Sequence, residues 1–308
     1  MEFASVSAII ATKNRPQDLR LTIRTLLNQT RLPREVIVVD QSPELHSYNA
    51  TQEEFRAFDS AISSVPTLKY IHDPLIVGVS AARNRGMEVA EEEIWLFFDD
   101  DVDIEPEFVK ELLDVYATNP EIAGVSGIIT NYGPLPWAFR AWLKIFTCGP
   151  FQDKRLPLYW KAEKMLDKGL QRVHGFTGAL MSFRAGVARG NRFDTTIRTG
   201  EEDVDFCLNL GGNPLLVIAP RARLRHMRSP IGRSGDLWLK RFSLSQSFFY
   251  RRYWDGHLKN RLCFWWLCIG LGLAATLSAL RRLSFRPWND LLAGMRAGWR
   301  TAESGPAH

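Results

Sequence analysis

The sequence predicts an α/β protein with a mostly parallel sheet flanked by helices, followed by a basic helical region. Three observations support this fold class. Short apolar runs alternate with segments of helical apolar spacing in the first part of the chain. Polar and acidic residues directly follow three of these runs. A run of nineteen uncharged residues stands near the C-terminus between basic residues. The predicted domains are residues 1–230 and 231–308.

The first elements alternate between strand and helix. The apolar runs VSAIIA, EVIVVD and IWLFF are short and rich in β-branched or aromatic residues, which is typical of buried strands. The segments between them repeat apolar residues every three or four positions, which predicts helices. The expected order is strand 6–11, helix 19–27, strand 35–40, strand 68–71, helix 79–91, strand 94–98 and a helix with Pro106 in its first turn.

Later elements are shorter. TGALMSF at 177–183 predicts another strand, and the acidic group GEEDVDF predicts the start of a helix over about 202–210. LLVI at 215–218 predicts one more short strand, and the basic segment RARLRHM at 221–227 follows it. The sequence shows neither an internal repeat nor a low-complexity segment.

Polar residues follow three of the predicted strands. Thr12 and Arg15 come after the first strand, Asp40 ends the second, and Asp99, Asp100 and Asp101 end the fourth. Open α/β sheets bind their ligands at the carboxyl ends of strands, so we expect these residues to share one site. The competing interpretation of each segment is an ordinary solvated loop.

Charge is divided unevenly along the chain. The net charge is +5, but residues 221–308 hold 16 Lys and Arg against four Asp and Glu, whereas the first 220 residues hold 23 against 30. We therefore expect the basic part to meet either nucleic acid or an anionic membrane. The four cysteines have no metal-type spacing, and the N-terminus lacks a signal-peptide pattern, so we expect the cytoplasmic face of a membrane.

The uncharged run LCFWWLCIGLGLAATLSAL is just long enough to span a hydrocarbon core of ~30 Å as a helix. Its basic flanks and neighbouring tryptophans also fit a helical hairpin in the membrane interface, and a buried core helix is the third alternative. FFYRRYW at 248–254 and PWAFRAWLKIF at 136–146 repeat the interfacial chemistry. Tryptophans around an uncharged run suit lipid better than nucleic acid.

Three adjacent carboxylates need a cation among them. A nucleotide diphosphate would repel them unless a divalent metal ion lay between, and carboxylate oxygens suit Mg²⁺ or Mn²⁺. An imidazole, available at His226, tilts the choice toward Mn²⁺. A transfer reaction also needs a base for the incoming hydroxyl, which the EED group at 201–203 can supply. The alternative role of that group is to complement a helix dipole.

Taken together, SAIIATKNRP, EVIVVDQS, GVSAARNRGMEVA, WLFFDDDV, TGALMSFR, EEDVDFCLNL and RHM resemble family 2 glycosyltransferases, from about Ser5 to Pro230. The resemblance implies the GT-A fold and an inverting sugar transfer from a nucleotide-diphosphate sugar. Within the family, the sequence resembles in particular the galactofuranosyl- and rhamnosyltransferases, which have an imidazole metal ligand at the position of His226. We expect a hexosyl- or deoxyhexosyltransferase of a bacterial-type surface polysaccharide pathway, with a lipid-linked or membrane-bound glycan acceptor.

The resemblance also assigns residues. Asp203 matches the base that deprotonates the acceptor, with Glu202 as the second catalytic candidate. Asp99, Asp101 and His226 match metal ligands. The remaining matches are donor-binding residues, namely Thr12, Arg15, Asp40, Arg83, Asn84, Asp100 and Gly178.

The sequence departs from the family pattern at Lys13, where an aromatic residue is usual, and at Gln41-Ser42-Pro43 after Asp40. Two other functions compete with sugar transfer. A nucleotidyltransferase of related architecture would carry a Gly-rich phosphate loop after the first strand, which ATKNRP lacks. A non-catalytic protein that binds membrane or nucleic acid would leave the acidic groups without a role.

Overall fold

The computed structural model describes residues 3–59, 65–132, 136–152, 169–197, 200–227 and 238–304. The chain divides into two compact units. One comprises Met1–Gly133 and Arg155–Gly232, and the other comprises Pro134–Lys154 and Arg233–His308. The predicted domain boundary at 230 lies outside the described residues, so the division there stays a prediction.

The first unit is built on one mixed sheet, which confirms the predicted α/β class. Its strands are β1 (Phe3–Thr12), β2 (Leu32–Asp40), β3 (Thr67–His72), β4 (Ile94–Asp99), β5 (Val102–Ile104), β6 (Ile122–Ile129), β7 (Gln171–Val173), β8 (Leu180–Arg184) and β9 (Leu215–His226).

The sheet order is β3-β2-β1-β4-β8-β6-β9-β5, and β7 pairs with β9. The four strands from β3 to β4 are parallel to one another. Strand β8 is antiparallel to both β4 and β6, whereas β6 and β9 are parallel. The parallel half therefore points all its carboxyl ends to one edge.

Helices cover both faces of this sheet. They are α1 (Pro16–Leu27), α2 (His46–Asp59), α3 (Val79–Val89), α4 (Phe108–Thr118), α6 (Ala185–Ala188) and α7 (Glu202–Asn209). Helix α5 (Trp137–Phe146) belongs to the second unit and is described with it. In β1, Ala8 and Ile10 join one apolar cluster with α1 and α4, while Ile9 joins the other cluster with α3 and α7. This alternation follows from the two-residue period of a strand.

Helix α1 shows how local sequence sets these elements. Pro16 stands at its first position, where a missing N–H costs nothing, and Asp18 lies in the first turn, where the helix dipole favours an acid. Leu19, Ile23 and Leu26 are fully buried at helical spacing. The same helix later positions Arg15, its N-cap residue.

The structure corrects one predicted element and adds others. The strand predicted at 215–218 is longer than expected and includes most of the basic segment after it, because β9 runs without interruption from Leu215 to His226. Arg221 and Arg225 are exposed while Ala222, Leu224 and His226 are buried, so the basic residues occupy only the solvent side of the strand. Helix α2 and strand β6 had no counterpart in the prediction.

The second unit is helical in its described residues. Besides α5 it contains α8 (Trp238–Phe249), a π-helical turn (Tyr250–Trp254), α9 (Leu258–Arg282) and α10 (Arg286–Ser304), with a short 3₁₀ helix at Gly149–Phe151. By length and composition alone, α9 could cross a membrane. Among the described residues it is the single helix of that kind.

Helices α8 and α10 approach each other closely at two glycines. A Cβ atom at Gly294 would overlap the carbonyl oxygen of Lys240, and one at Gly298 would overlap that of Leu244. Four residues separate the glycines, so they lie on one face of α10. The missing side chains let the two backbones meet, as in other small-xxx-small helix pairs.

Gly127 in β6 gives a test of the first unit's packing. A Cβ atom there would overlap the carbonyl oxygen of Ala222 and lie 2.7 Å from the Phe108 ring. We expect Gly127→Ala to lower the free energy of unfolding by about 1–3 kcal/mol, as overpacking does. Chemical denaturation followed by circular dichroism measures the change.

Gly186→Ala is the matched control, because a Cβ atom in α6 would meet nothing within 4 Å. Its stability should stay the same or rise by up to about 1 kcal/mol. An equal loss in both variants would contradict the packing argument.

Candidate functional site

The register of the sheet brings the predicted site residues to one level. Thr12 of β1 pairs with Asp40 of β2, and Ala11 pairs with Asp99 of β4. Asp40 in turn pairs with His72 of β3. The carboxyl ends of four adjacent strands therefore share one edge, which is the place where open α/β sheets bind ligands.

The middle carboxylate of the DDD group faces the first loop. Asp100 accepts hydrogen bonds from the Thr12 hydroxyl at 2.7 Å and from the Arg15 guanidinium at 3.0 Å. Burial raises the pKa of Asp100 to about 6; the charge of Asp99 adds to this rise, while Thr12 and Arg15 oppose it. The protein thus supplies one cation for these carboxylates, and Arg15 also lies 4.0 Å from Asp101.

The two outer carboxylates meet an imidazole. Nε2 of His226 lies 2.9 Å from Asp101 and 3.8 Å from Asp99. One ligand atom from each residue lies within 4.8 Å of the others. Two carboxylate oxygens and one imidazole nitrogen form a donor set suited to Mn²⁺ or Mg²⁺, and the nitrogen favours Mn²⁺. The sequence prediction of these three ligands as neighbours is consistent with this geometry.

Two residues that orient His226 were missed by the sequence prediction. The Tyr132 hydroxyl lies 2.8 Å from Nδ1 of His226, and the two rings are stacked. The Asn131 side chain bonds both the N–H and the carbonyl of His226. The signal was present, because both residues directly follow the apolar run IAGVSGII, which forms β6.

Arg83 is buried at the centre of the site. It donates to Glu202 at 2.8 Å, to Asp99 at 3.1 Å and to the carbonyl of Gly178 at 3.0 Å. Its side chain is only 2% exposed. A Cβ atom at Gly178 would crowd the same guanidinium, so glycine leaves the room that Arg83 fills.

The acidic pair at the start of α7 divides between two partners. Glu202 forms the ion pair with Arg83, whereas Oδ2 of Asp203 accepts the backbone N–H of Gly178 at 2.6 Å. Oδ1 of Asp203 accepts the N–H of Val204 at 2.8 Å. These N–H donors and the helix N-terminus both favour the ionised carboxylate.

Two predicted donor-binding residues are engaged elsewhere in the protein. Asn84 uses both its amide groups on the backbone of Phe193, at 2.9 and 2.8 Å. Asp40 is fully buried and accepts hydrogen bonds from Ser42 and from the Tyr70 hydroxyl. Burial and the bond to Asp40 raise the pKa of Tyr70, so that its hydroxyl stays a donor. Direct donor contacts of Asn84 and Asp40 stay predictions.

The arrangement joins a cation site to a carboxylate suited to take a proton. Arg83 contacts the cation site through Asp99, and it contacts Gly178, whose N–H holds Asp203. A metal ion held at the cluster would stabilise negative charge on a leaving group, and a carboxylate nearby can act as a general base. The edge therefore carries the parts that a metal-assisted group transfer needs.

Comparison with known proteins gives the family context. The model of a sequence family described as Glycosyl transferase family 2 matches residues 7–188. A glucosyl-dolichyl phosphate glucuronosyltransferase of Haloferax volcanii is 29% identical over 83% of this chain and 76% of its own. The succinoglycan biosynthesis protein ExoM of Rhizobium meliloti is 25% identical over 97% of this chain and 78% of its own.

Among solved structures, the fold is similar to that of the mannosyltransferase PcManGT from Pyrobaculum calidifontis in complex with GDP-Man and Mn²⁺. The TM-score is 0.57 at 17% identity, covering 97% of this chain and 87% of that one. At this identity the likeness concerns the fold alone, and it identifies the fold as GT-A.

The hydrogen bond between Tyr132 and His226 can be tested by metal binding. Tyr132→Phe keeps the ring but removes the bond that orients the imidazole, so Mn²⁺ affinity should fall by about 10- to 100-fold. Isothermal titration with Mn²⁺ alone measures it. Tyr48→Phe on α2 makes the same chemical change outside the cluster and should leave the affinity unchanged. Equal affinities for the Tyr132 variant and the wild type would contradict the orienting role.

Proposed function

Because the chain belongs to glycosyl transferase family 2, we propose that it moves a sugar from a nucleotide-diphosphate sugar to an acceptor hydroxyl, with inversion and in a single displacement. The observation that carries the proposal is the cluster of Asp99, Asp101 and His226 at the carboxyl edge of the sheet. A divalent ion held there would neutralise the diphosphate leaving group.

The chain's own residues support Mn²⁺, with Mg²⁺ as the second choice. The proposed metal ligands are Asp99, Asp101 and His226; with Nε2 facing the carboxylates as the ligand atom, Nδ1–H of His226 donates to the Tyr132 oxygen. Imidazole ligands are commoner for Mn²⁺ than for Mg²⁺. In this role the metal site binds and orients the diphosphate of the donor.

Asp203 is the proposed base. Its carboxylate accepts hydrogen bonds from the backbone N–H groups of Gly178 and Val204, which favour the ionised form that can take the acceptor's proton. Glu202 instead neutralises the buried Arg83, which gives it a positioning role. Proton removal by Asp203 would increase the nucleophilicity of the acceptor oxygen as the bond to the diphosphate breaks.

The donor's nucleoside and phosphates are assigned to the first loop and its neighbours. Arg15 is partly exposed and lies beside Asp100, so it can meet a phosphate or ribose at the mouth of the site. Thr12 and Asp100 fix that loop through their 2.7 Å hydrogen bond. Asp40, Arg83, Asn84 and Gly178 complete the donor-binding set that the family resemblance implies.

The acceptor is proposed to be a lipid-linked or membrane-bound glycan, and the transferred sugar a hexose or deoxyhexose. One relative is named for a dolichyl phosphate substrate and another for succinoglycan biosynthesis. The basic second part of the chain and α9 add support, because both suit the cytoplasmic face of a membrane. Surface polysaccharide assembly is the process that fits these features.

Metal dependence tests the cation site. Asp101→Asn and His226→Ala each remove one ligand while leaving the fold's apolar core intact, so the gain in donor affinity that Mn²⁺ gives should be lost. Titration calorimetry with a panel of nucleotide-diphosphate sugars, with Mn²⁺ or with EDTA, measures this gain. The assignment is wrong if wild-type donor affinity is the same in EDTA as in Mn²⁺.

Substitution of the base tests the reaction. Asp203→Asn keeps the shape but cannot take a proton, so turnover should fall by about 10²- to 10⁴-fold while donor affinity changes little. Glu202→Gln is the comparison variant; because Arg83 loses its buried anion, this variant should unfold at lower denaturant concentration. Turnover of Asp203→Asn near the wild-type value would remove Asp203 from the mechanism.

A further inference from the structure

Helix α9 exposes one continuous apolar face. Its members are Leu262, Trp265, Ile269, Leu273, Leu277 and Leu280, which are 46–66% exposed. At 3.6 residues per turn they occupy about a third of the helix circumference. We call these six residues the apolar face of α9. An exposed stripe of this length on a folded protein marks an interaction surface.

Polar groups along this face already have partners within the second unit. The Thr276 hydroxyl donates to the carbonyl of Gly272 at 2.9 Å, and the Trp266 indole N–H donates to the carbonyl of Ile145 at 2.8 Å. Placing these two groups in lipid would therefore leave neither donor without an acceptor.

The opposite side of α9 is packed inside the second unit. Phe264 stacks on Tyr250 with ring centroids 4.0 Å apart, and Leu267, Leu271 and Ala275 are buried in the same cluster. Only 28% of the most apolar window of α9 is buried. Helix α9 is therefore not a core helix buried on all sides, which was the third alternative from the sequence. One of its sides is packed and the other is exposed.

The packing of α10 also argues against a membrane-spanning α9. Trp288, at the start of α10, lies beside Gly272, and Trp299 lies 5.9 Å from the Tyr250 ring that stacks on Phe264. Helix α10 thus runs alongside α9. If α9 crossed a bilayer, the exposed Arg296 and Arg300 of α10 would enter hydrocarbon, which is costly for charged groups.

Exposed basic residues stand at both ends of α9. Lys259 and Arg261 lie in its first turn, Arg281 and Arg282 in its last, and Arg286 begins α10. Anionic headgroups attract such residues, by about 1 kcal/mol for each one near the surface. Basic residues at both ends fit a helix whose two ends lie at the same headgroup level.

We infer that the apolar face of α9 inserts into one leaflet of an anionic bilayer, with the helix parallel to the membrane plane and both ends on the same side. This inference deepens and rests on the proposed function, because it would hold the enzyme at the surface where a lipid-linked acceptor is found. It identifies the partner of the face as lipid rather than a second copy of the chain.

Vesicle binding by the purified full chain tests the face. Ile269→Glu and Leu273→Glu place a charge on it, whereas Asn289→Glu places the same charge on the polar side of α10. Each face variant should bind vesicles of phosphatidylcholine with phosphatidylglycerol about tenfold more weakly or worse, since one large apolar side chain is no longer buried. Asn289→Glu should reduce the affinity for these vesicles far less. Unchanged binding of both face variants would overturn the inference.

Thiol labelling tests the orientation. His257→Cys and Ser284→Cys flank α9 and are introduced one at a time into a chain in which the half-buried Cys148 and Cys268 are alanine. In sealed inside-out membrane vesicles, a membrane-impermeant maleimide should label both positions equally without detergent. Labelling of one position only after permeabilisation would mean that α9 spans the membrane and would overturn the in-plane orientation.

Two further measurements, light scattering and donor hydrolysis, distinguish lipid binding from pairing with a second copy and from failure of the proposed function. If light scattering shows a lipid-free dimer that Ile269→Glu converts to monomer, and vesicles are not bound, the face pairs with a second copy and the inference is wrong. Donor hydrolysis in detergent tests the proposed function separately. Ile269→Glu should retain it, because α9 contributes no residue to the metal and base cluster. Failure of hydrolysis in the wild type would contradict the function and leave the vesicle result standing.

Discussion

Repulsion among the three adjacent carboxylates at the end of β4 is the constraint on which the site depends. Asp100 and Asp101 are almost fully buried, so their charges cannot be dispersed by solvent. Two cations from separate segments compensate them, namely Arg15 at the start of α1 and Arg83 in α3, and the imidazole of His226 at the end of β9 contacts Asp101. Burial is the main cause of the raised pKa of Asp100, about 6, and the charge of Asp99 adds to it. An additional cation at the edge is the physical complement of this arrangement.

Arg83 links the carboxylates at the end of β4 to Asp203, the proposed base. A buried guanidinium is costly unless its donors are satisfied. The two terminal nitrogens of Arg83 donate to Asp99, Glu202 and the Gly178 carbonyl, whereas its buried Nε has no hydrogen-bond partner among the described residues. Gly178 then positions Asp203 through its N–H. The acidic pair thus divides between two kinds of partner: Glu202 pairs with Arg83, and Asp203 accepts backbone N–H groups. A change at any member of this chain of contacts is expected to reach the others.

The second unit is subject to a different constraint, because it contains a helix, α9, that is apolar on all sides along its uncharged run. Helices α8 and α10 pack closely against each other at Gly294 and Gly298. One side of α9 is buried in the apolar core of the same unit. The other side of α9 has no described partner within the chain. Apolar surface of this extent is unfavourable in water, and the proposed burial against lipid would be driven by the same hydrophobic effect that packs the inner side.

The sequence by itself determined the elements and the chemical types at the site. Apolar period and strand ends located β1, β2 and β4 with Thr12, Asp40 and the DDD group, because these signals are local and each strand carries its own. The family resemblance also pointed to Asp203 and His226, whose roles stay predictions. Strand β6 was not predicted although its apolar run is equally clear, and Tyr132, which follows β6 and contacts His226, was therefore also missed.

Only the tertiary structure decided the partners. The division between Glu202 and Asp203, and the engagement of Asn84 with Phe193, depend on contacts between residues more than twenty positions apart. The exposure of one side of α9 likewise depends on such contacts, because composition gives the same nineteen residues whether one side of the helix is packed or none is. Local sequence sets what a segment can bury, whereas the packing of distant segments sets which side of it is buried.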